Sequence, residues 1–151
     1  MDTDIEKWDS RFLGLAAHIS SWSRDPSTRV GAVIVRPNKT IASLGYNGFP
    51  RGVDDDPARY KDRTTKYKLV VHGEANAIVA AEESLHGFTI YTWPFPPCVD
   101  CAGLIIQAGI TRVVAPRPTA EEFERWGDSM TTAGMMFNEA GVENVMLDIL
   151  R

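Results

Sequence analysis

Two short clusters constrain this chain more than any other feature: His72-Gly73-Glu74 and Pro97-Cys98-Val99-Asp100-Cys101. Each stands where another pattern gives way to a helical one, so the fold must accommodate ionisable groups at two helix starts. Packing alone does not explain them there. At a helix N-terminus the unpaired backbone N–H groups and the macrodipole favour thiolate over thiol. Two helix starts thus offer one imidazole and two sulfurs.

That donor set suits zinc, a borderline-soft ion that takes nitrogen and sulfur in a tetrahedral arrangement. A structural zinc is normally closed by four protein ligands, and Cys98 and Cys101 are the chain's only cysteines. His18, in the first apolar helix pattern, and His86, in the turn "SLHGF", remain as fourth ligands. If both stay outside, water takes the position, and zinc lowers its pKa from about 15.7 to about 7. Glu74 is the only carboxylate beside the ligands in sequence and is the candidate proton carrier. His-x-Glu followed by Pro-Cys-x-x-Cys is the signature of zinc-dependent nucleobase deaminases. A redox Cys-x-x-Cys pair is the alternative for the cysteines alone, and it leaves His72 and Glu74 without a role. A non-catalytic zinc-stabilised binding module is a further alternative and requires four protein ligands.

The rest of the chain supplies a layered α/β frame. Ile5, Trp8, Phe12, Leu15, Ile19 and Trp22 recur at steps of three and four, the spacing of a helix with one apolar face. "DPSTR" (25–29) breaks it. "VGAVIVR" (30–36) has no polar face and reads as a strand covered on both sides, with "IASLGY" (41–46) as its antiparallel return. Residues 47–68 are rich in Gly, Pro and charge without periodicity and read as a long loop, disordered or functional. Beyond them helices and strands alternate: helix 73–83, strand 88–93, helix 101–109 capped by Gly109, strand 112–116, then a helix from Thr119 with a break expected through 133–141, and a last strand. At 151 residues this is one domain, 1–151, with a mixed sheet.

The net charge of −4 argues against a protein that grips nucleic acid by phosphate neutralisation. An acidic N-terminus without an apolar core, and no apolar run near the length of a membrane span, imply a cytoplasmic protein without a membrane partner. Met130, Met135, Met136 and Phe137 exceed what one core needs and favour a homo-oligomer.

With these residues in place, the sequence resembles the deoxycytidylate (dCMP) deaminases of the cytidine deaminase superfamily, from about residue 10 to 146. The resemblance is carried by the zinc signature, "RVGAVIV", "GYNGFPRG" (45–52), "EANAI" (74–78), "CAGLIIQAGI" (101–110) and "MFNEAGV" (136–142). It implies a three-layer cytidine-deaminase-like fold with a central five-stranded mixed sheet flanked by helices. It also implies zinc-dependent hydrolysis of dCMP to dUMP and ammonia, feeding dTMP synthesis, with dCTP as an additional substrate to be considered. In that reading His72, Cys98 and Cys101 hold one Zn2+, Glu74 protonates ring nitrogen 3 and passes the proton to the departing amine, and the Gly73 N–H faces the base. Asn47 bonds the deoxyribose 3′-hydroxyl with Tyr46 beside it, and Asn76, Arg29 and Arg51 lie toward the phosphate. Many such enzymes are hexamers with dCTP and dTTP as effectors. The acidic run Asp54–Asp56 in this chain's glycine-rich loop would meet a triphosphate only across a divalent cation such as Mg2+. A polynucleotide deaminase acting on tRNA adenosine or cytidine shares the zinc signature and is the alternative within the superfamily.

Overall fold

The computed structural model describes residues 4–149. Its first helix, α1 (Asp4–Ser20), buries Phe12, Leu13, Ala16 and Ile19. The apolar stripe expected from sequence is therefore used only in its middle: Ile5 and Trp22 stay half exposed. Trp22 lies beyond the last helical turn and meets Tyr46 edge-on, with ring centroids 6.1 Å apart.

Five strands form one sheet in the order β2-β1-β3-β4-β5. They are β1 (Gly31–Val35), β2 (Ile41–Tyr46), β3 (Thr89–Trp93), β4 (Arg112–Pro116) and β5 (Glu143–Leu147). β1 runs antiparallel to both β2 and β3, whereas β3, β4 and β5 are parallel. The expected mixed sheet and layered α/β class are thus present. Period-two alternation splits the core into two layers. Val33, Val35, Tyr91 and Val114 pack against α1. Ala32, Ile34, Ile90 and Val113 pack on the opposite face against α4 (Gly73–Ala80), α5 (Val99–Gln107) and α6 (Ala120–Ala140). Every residue of β1 is buried, as its unbroken apolar run requires.

Several boundaries differ from the sequence expectation, among them α5, which spans Val99–Gln107 with Ala108 as its C-cap rather than 101–109 capped by Gly109. The loop 47–68 contains two short helices, α2 (Pro57–Lys61) and α3 (Arg63–Leu69). Asp56 caps α2 through the Ala58 N–H, with Pro57 in the first turn. Each buries one residue, Tyr60 and Lys66, so no apolar period betrays them. Helix α4 stops at Ala80 rather than 83. Helix α6 runs unbroken, since its two internal glycines, Gly127 and Gly134, leave the ladder intact and its Thr119–Glu122 capping box and left-handed Gly141 end it cleanly.

Two glycines set how closely the helices lie on the sheet. A Cβ on Gly31 would fall 2.1 Å from the Ala16 carbonyl oxygen, and one on Gly45 would fall 2.5 Å from the Ala77 nitrogen and 2.6 Å from the Gly73 oxygen. Bare Cα atoms there let α1 rest on β1 and α4 on β2. A partly buried ion pair ties the far side together: Arg112 grips Asp9 with two bonds of 2.8 and 2.7 Å, and the Tyr91 hydroxyl donates to the same carboxylate at 2.7 Å. That bidentate geometry links α1 to β4 and β3.

Gly45→Ala is expected to push α4 from β2 and destabilise the fold by about 1–3 kcal/mol. The midpoint of chemical denaturation measures it, and an unchanged midpoint would show that α4 can retreat without cost.

Candidate active site

His72 is the N-cap residue of α4, and Cys98 is the N-cap residue of α5 with Cys101 in its first turn. Each helix emerges from the same side of the sheet, and their starts converge. His72 Nδ1 lies 3.4 Å from Cys98 Sγ and 3.4 Å from Cys101 Sγ. The three donor atoms fall within 4.8 Å of one another, and among the described residues this is the one group of three or more His, Cys, Asp or Glu side chains so gathered. A tetrahedral ion bound at about 2.1 Å to nitrogen and about 2.3 Å to sulfur separates those atoms by about 3.6 Å. The spacing and the donor chemistry therefore fit zinc. His18 and His86 both lie elsewhere, the first edge-on to Trp22 and the second beside the Ser84 hydroxyl.

The electrostatics suit cation binding. A hydrogen bond with Cys101, assisted by His72, holds the Cys98 thiol well below the usual thiol range, while the same bond and burial push Cys101 up. A cation bound between the two sulfurs would displace the proton there. The hydrogen bond to Cys98 raises His72. Glu74 is buried beside this group, and desolvation raises its carboxyl above the ordinary range. A carboxyl in that environment takes up and releases a proton nearer neutrality than an exposed one does.

His72, Gly73, Glu74 and Cys98 open onto a cavity of ≈ 320 Å³, whose other walls include Thr28, Asn47, Lys66, Phe95, Trp126 and Ser129. Such a volume is at the lower end for small-molecule sites. Of the aromatic residues near the cysteines, Phe95 and Trp126 reach the cavity and Trp93 packs toward α1 instead.

The remaining predicted residues divide into three groups. Asn47 lines the cavity but spends its amide on the chain: Oδ1 accepts from the Val30 N–H at 2.8 Å and Nδ2 donates to the Thr28 oxygen at 2.9 Å. Asn76 and Tyr46 lie outside the lining and bond each other, with Asn76 Nδ2 donating to the Tyr46 oxygen at 2.8 Å. Arg29 lines an adjoining recess, and Arg51 sits exposed on the glycine-rich loop away from both. In that loop, Asp56 caps α2 and Asp55 accepts from the Tyr60 hydroxyl and pairs with Arg24, so the acidic run serves local structure.

Three cavity residues carried no clear sequence signal. Asp25 and Lys66 form a buried ion pair at 3.3 Å, and Lys66 also donates to Ser27 Oγ at 3.0 Å. Burial pushes the Asp25 carboxyl up, but the Ser27 and Thr28 N–H groups and the Lys66 ammonium bring it below its ordinary value. The Asp-Pro-Ser-Thr turn could have flagged Asp25; Lys66 lies in an aperiodic stretch. Ser129, on α6, accepts from the Val99 N–H at 2.9 Å and so caps the helix that bears the cysteines.

Known proteins share this arrangement to different extents. Residues 6–116 match the family model "Cytidine and deoxycytidylate deaminase zinc-binding region". The chain is 45% identical over 149 residues to an "Uncharacterized deaminase in luxG 3'region" of Aliivibrio fischeri, covering 97% of this chain and 99% of that protein. It is 37% identical over 145 residues to human deoxycytidylate deaminase, covering 92% of this chain and 79% of that one. Among solved structures, the dCMP deaminase of cyanophage S-TIM5 in complex with dCMP and dUMP superposes with a TM-score of 0.70 at 25% identity, over 97% of this chain and 99% of the other. No helix among the described residues is long and apolar enough to cross a membrane. A family model spanning most of the chain, joined to relatives aligned nearly end to end, makes this protein a member of the cytidine and deoxycytidylate deaminase family.

Proposed function

We propose that the protein hydrolyses dCMP to dUMP and ammonia. The observation that carries this reading is a buried carboxyl, Glu74, standing on a small cavity beside a convergent His-Cys-Cys donor set. The deoxycytidylate deaminases among its relatives and the dCMP- and dUMP-bound phage enzyme support the choice of nucleotide.

His72, Cys98 and Cys101 hold the metal. Bound zinc supplies Lewis acidity that makes hydroxide available near neutral pH. Glu74 then does the proton work. It takes one proton as water adds to carbon 4 of cytosine and gives it to ring nitrogen 3, then takes the second from the hydroxyl on carbon 4 and gives it to the exocyclic amine as the carbon–nitrogen bond breaks. Water and the amino group go in; a carbonyl and ammonia come out. Burial suits Glu74 to this sequence, since the neutral acid and the carboxylate lie closer in free energy there than in water.

The neighbouring residues position the base and sugar. The Gly73 N–H faces the base; a Cβ on that residue would approach the Val30 oxygen at 3.2 Å, so the backbone is held close. Asn47 keeps one amide hydrogen and one oxygen lone pair beyond its two backbone bonds, and these serve the deoxyribose 3′-hydroxyl. Asn76 acts at one remove by fixing the Tyr46 end of β2. Arg29 contributes to phosphate binding from the adjoining recess. Exposed apolar side chains on three helices, Val79, Leu104, Phe123 and Met135, support self-association.

Glu74→Gln keeps the shape of the site and removes the proton carrier, so kcat on dCMP is expected to fall by about 10²- to 10⁴-fold with zinc content unchanged. Ammonia release and metal analysis measure the two quantities, and a variant within tenfold of wild type refutes the assignment. Dialysis against a chelator is expected to abolish turnover, with about one equivalent of zinc per chain restoring it. Full activity in protein shown to lack metal would contradict the zinc reading.

A further inference from the structure

The peptide that joins Cys98 to Val99 is held at both of its edges. Its carbonyl accepts the Ala102 N–H at 2.9 Å, the first hydrogen bond in the ladder of α5. Its N–H donates to Ser129 Oγ at 2.9 Å, and Ser129 stands on α6, 30 residues further along the chain. This second bond is one that α5 cannot supply for itself. An N-cap side chain reaches the N–H groups of the second and third helical residues, and Val99 is the first. Without the hydroxyl, its N–H is one of the orphan donors of a helix start.

Fixing this peptide fixes the cysteine before it. Cys98 is extended, with φ −74° and ψ 173°, and ψ is the rotation that relates it to the pinned peptide. Cys101 is carried by the body of α5 and is buried, whereas Cys98 stands at the end of the Pro94-Phe95-Pro96-Pro97 approach and joins the ladder only through its carbonyl. The placing of one sulfur against the other, and against His72 Nδ1, therefore turns on a single torsion. The anchor for that torsion is firm: Gly127, Met130 and Ala133, within about a turn of Ser129 on either side, are buried. A serine inside a helix commonly turns its hydroxyl back to the carbonyl four residues earlier. Among the described residues, the Ser129 side chain is bonded instead to the Val99 N–H.

We infer that Ser129 is a positioning residue for the metal: by pinning the Cys98–Val99 peptide from α6, it sets how tightly His72, Cys98 and Cys101 hold zinc. The inference rests on zinc binding by these three side chains, proposed above. It adds to the determinants of metal affinity a residue outside the span 6–116 of the family model. Groups that orient metal-binding side chains without touching the ion typically change affinity by about 10- to 100-fold when removed. Loss of the hydroxyl frees Cys98 in the metal-free protein, and binding must then remove that freedom.

The test reads metal binding rather than turnover. Wild type, Ser129→Ala, Ser129→Thr and Val114→Ala are prepared reduced and metal-free, zinc affinity is measured by competition with a chromophoric chelator, and cobalt(II) is substituted for spectra. Val114→Ala opens a cavity under α1 on the other face of the sheet and is the destabilised comparison. Ser129→Ala is expected to bind zinc about tenfold more weakly or worse, with altered thiolate-to-cobalt charge-transfer bands. Ser129→Thr keeps the hydroxyl and, like Val114→Ala, is expected to lie near wild type. Wild-type affinity and spectrum in Ser129→Ala overturn the inference; so does an equal loss in Val114→Ala, which would reduce the effect to general stability, or in Ser129→Thr, which would take it away from the hydroxyl. If Ser129→Ala unfolds on metal removal, release of zinc from the loaded protein to excess chelator decides: release about tenfold faster than wild type sustains the inference, and an equal rate overturns it. A wild type that binds neither metal sinks the zinc reading and the inference together, whereas equal binding by wild type and Ser129→Ala sinks the inference alone.

Discussion

Two helices begin within the reach of a single ion, and most of the structure can be read as the means of keeping them there. Helix N-termini repel each other electrostatically when brought together, since each carries partial positive charge. Convergence therefore needs negative groups between them, and the sulfurs of Cys98 and Cys101 are placed to supply that charge. Mechanical restraint comes from the glycines. With Gly45 bare, α4 lies directly on β2, and the residue that caps α4 is His72. The position of His72 thus depends on an absent methyl group on a neighbouring strand.

Polar residues around the cavity show a division of labour. Asn47, Asn76 and Ser129 all direct side-chain bonds to backbone groups: the Val30 N–H and Thr28 oxygen, the Tyr46 oxygen, and the Val99 N–H. Each bond fixes a segment from which a site residue projects. Such bonds matter more in a buried setting, where an unpaired amide would cost about 1–3 kcal/mol. Asp25 does the same for its own loop, taking the Ser27 and Thr28 N–H groups before it meets Lys66. A cavity this small tolerates little slack, so rigidity around it is itself a functional property.

Sequence reading succeeded where the physics is local and periodic. The strand β1 follows from an apolar run, the start of α6 from its capping box, and the gathering of His72, Cys98 and Cys101 from residue types whose chemistry leaves few other uses. It failed where structure depends on partners distant in the chain. Helices α2 and α3 lack an apolar period because they bury one side chain each, so nothing in their spacing distinguishes them from loop. Lys66 is a surface lysine by composition and a buried one by virtue of Asp25, some forty residues earlier. Asn76 stands within the signature segment, yet its amide turns to a strand end rather than to the cavity. Adjacency in sequence to Glu74 gives the direction of the backbone, and a side chain two residues further round the helix faces elsewhere.

Helix α6 lies beyond residues 6–116, the span matched by the zinc-binding family model, yet it furnishes Trp126, Ser129 and Met130 to the cavity. The His-Cys-Cys cluster and one flank of the cavity beside it are therefore written in separate stretches of the chain, touching at the Ser129 cap on α5. Change confined to the flank can remodel what the chamber admits while leaving the ion's holders as they are. A side wall that can vary apart from the donor cluster offers a physical route to admitting molecules of different size and charge.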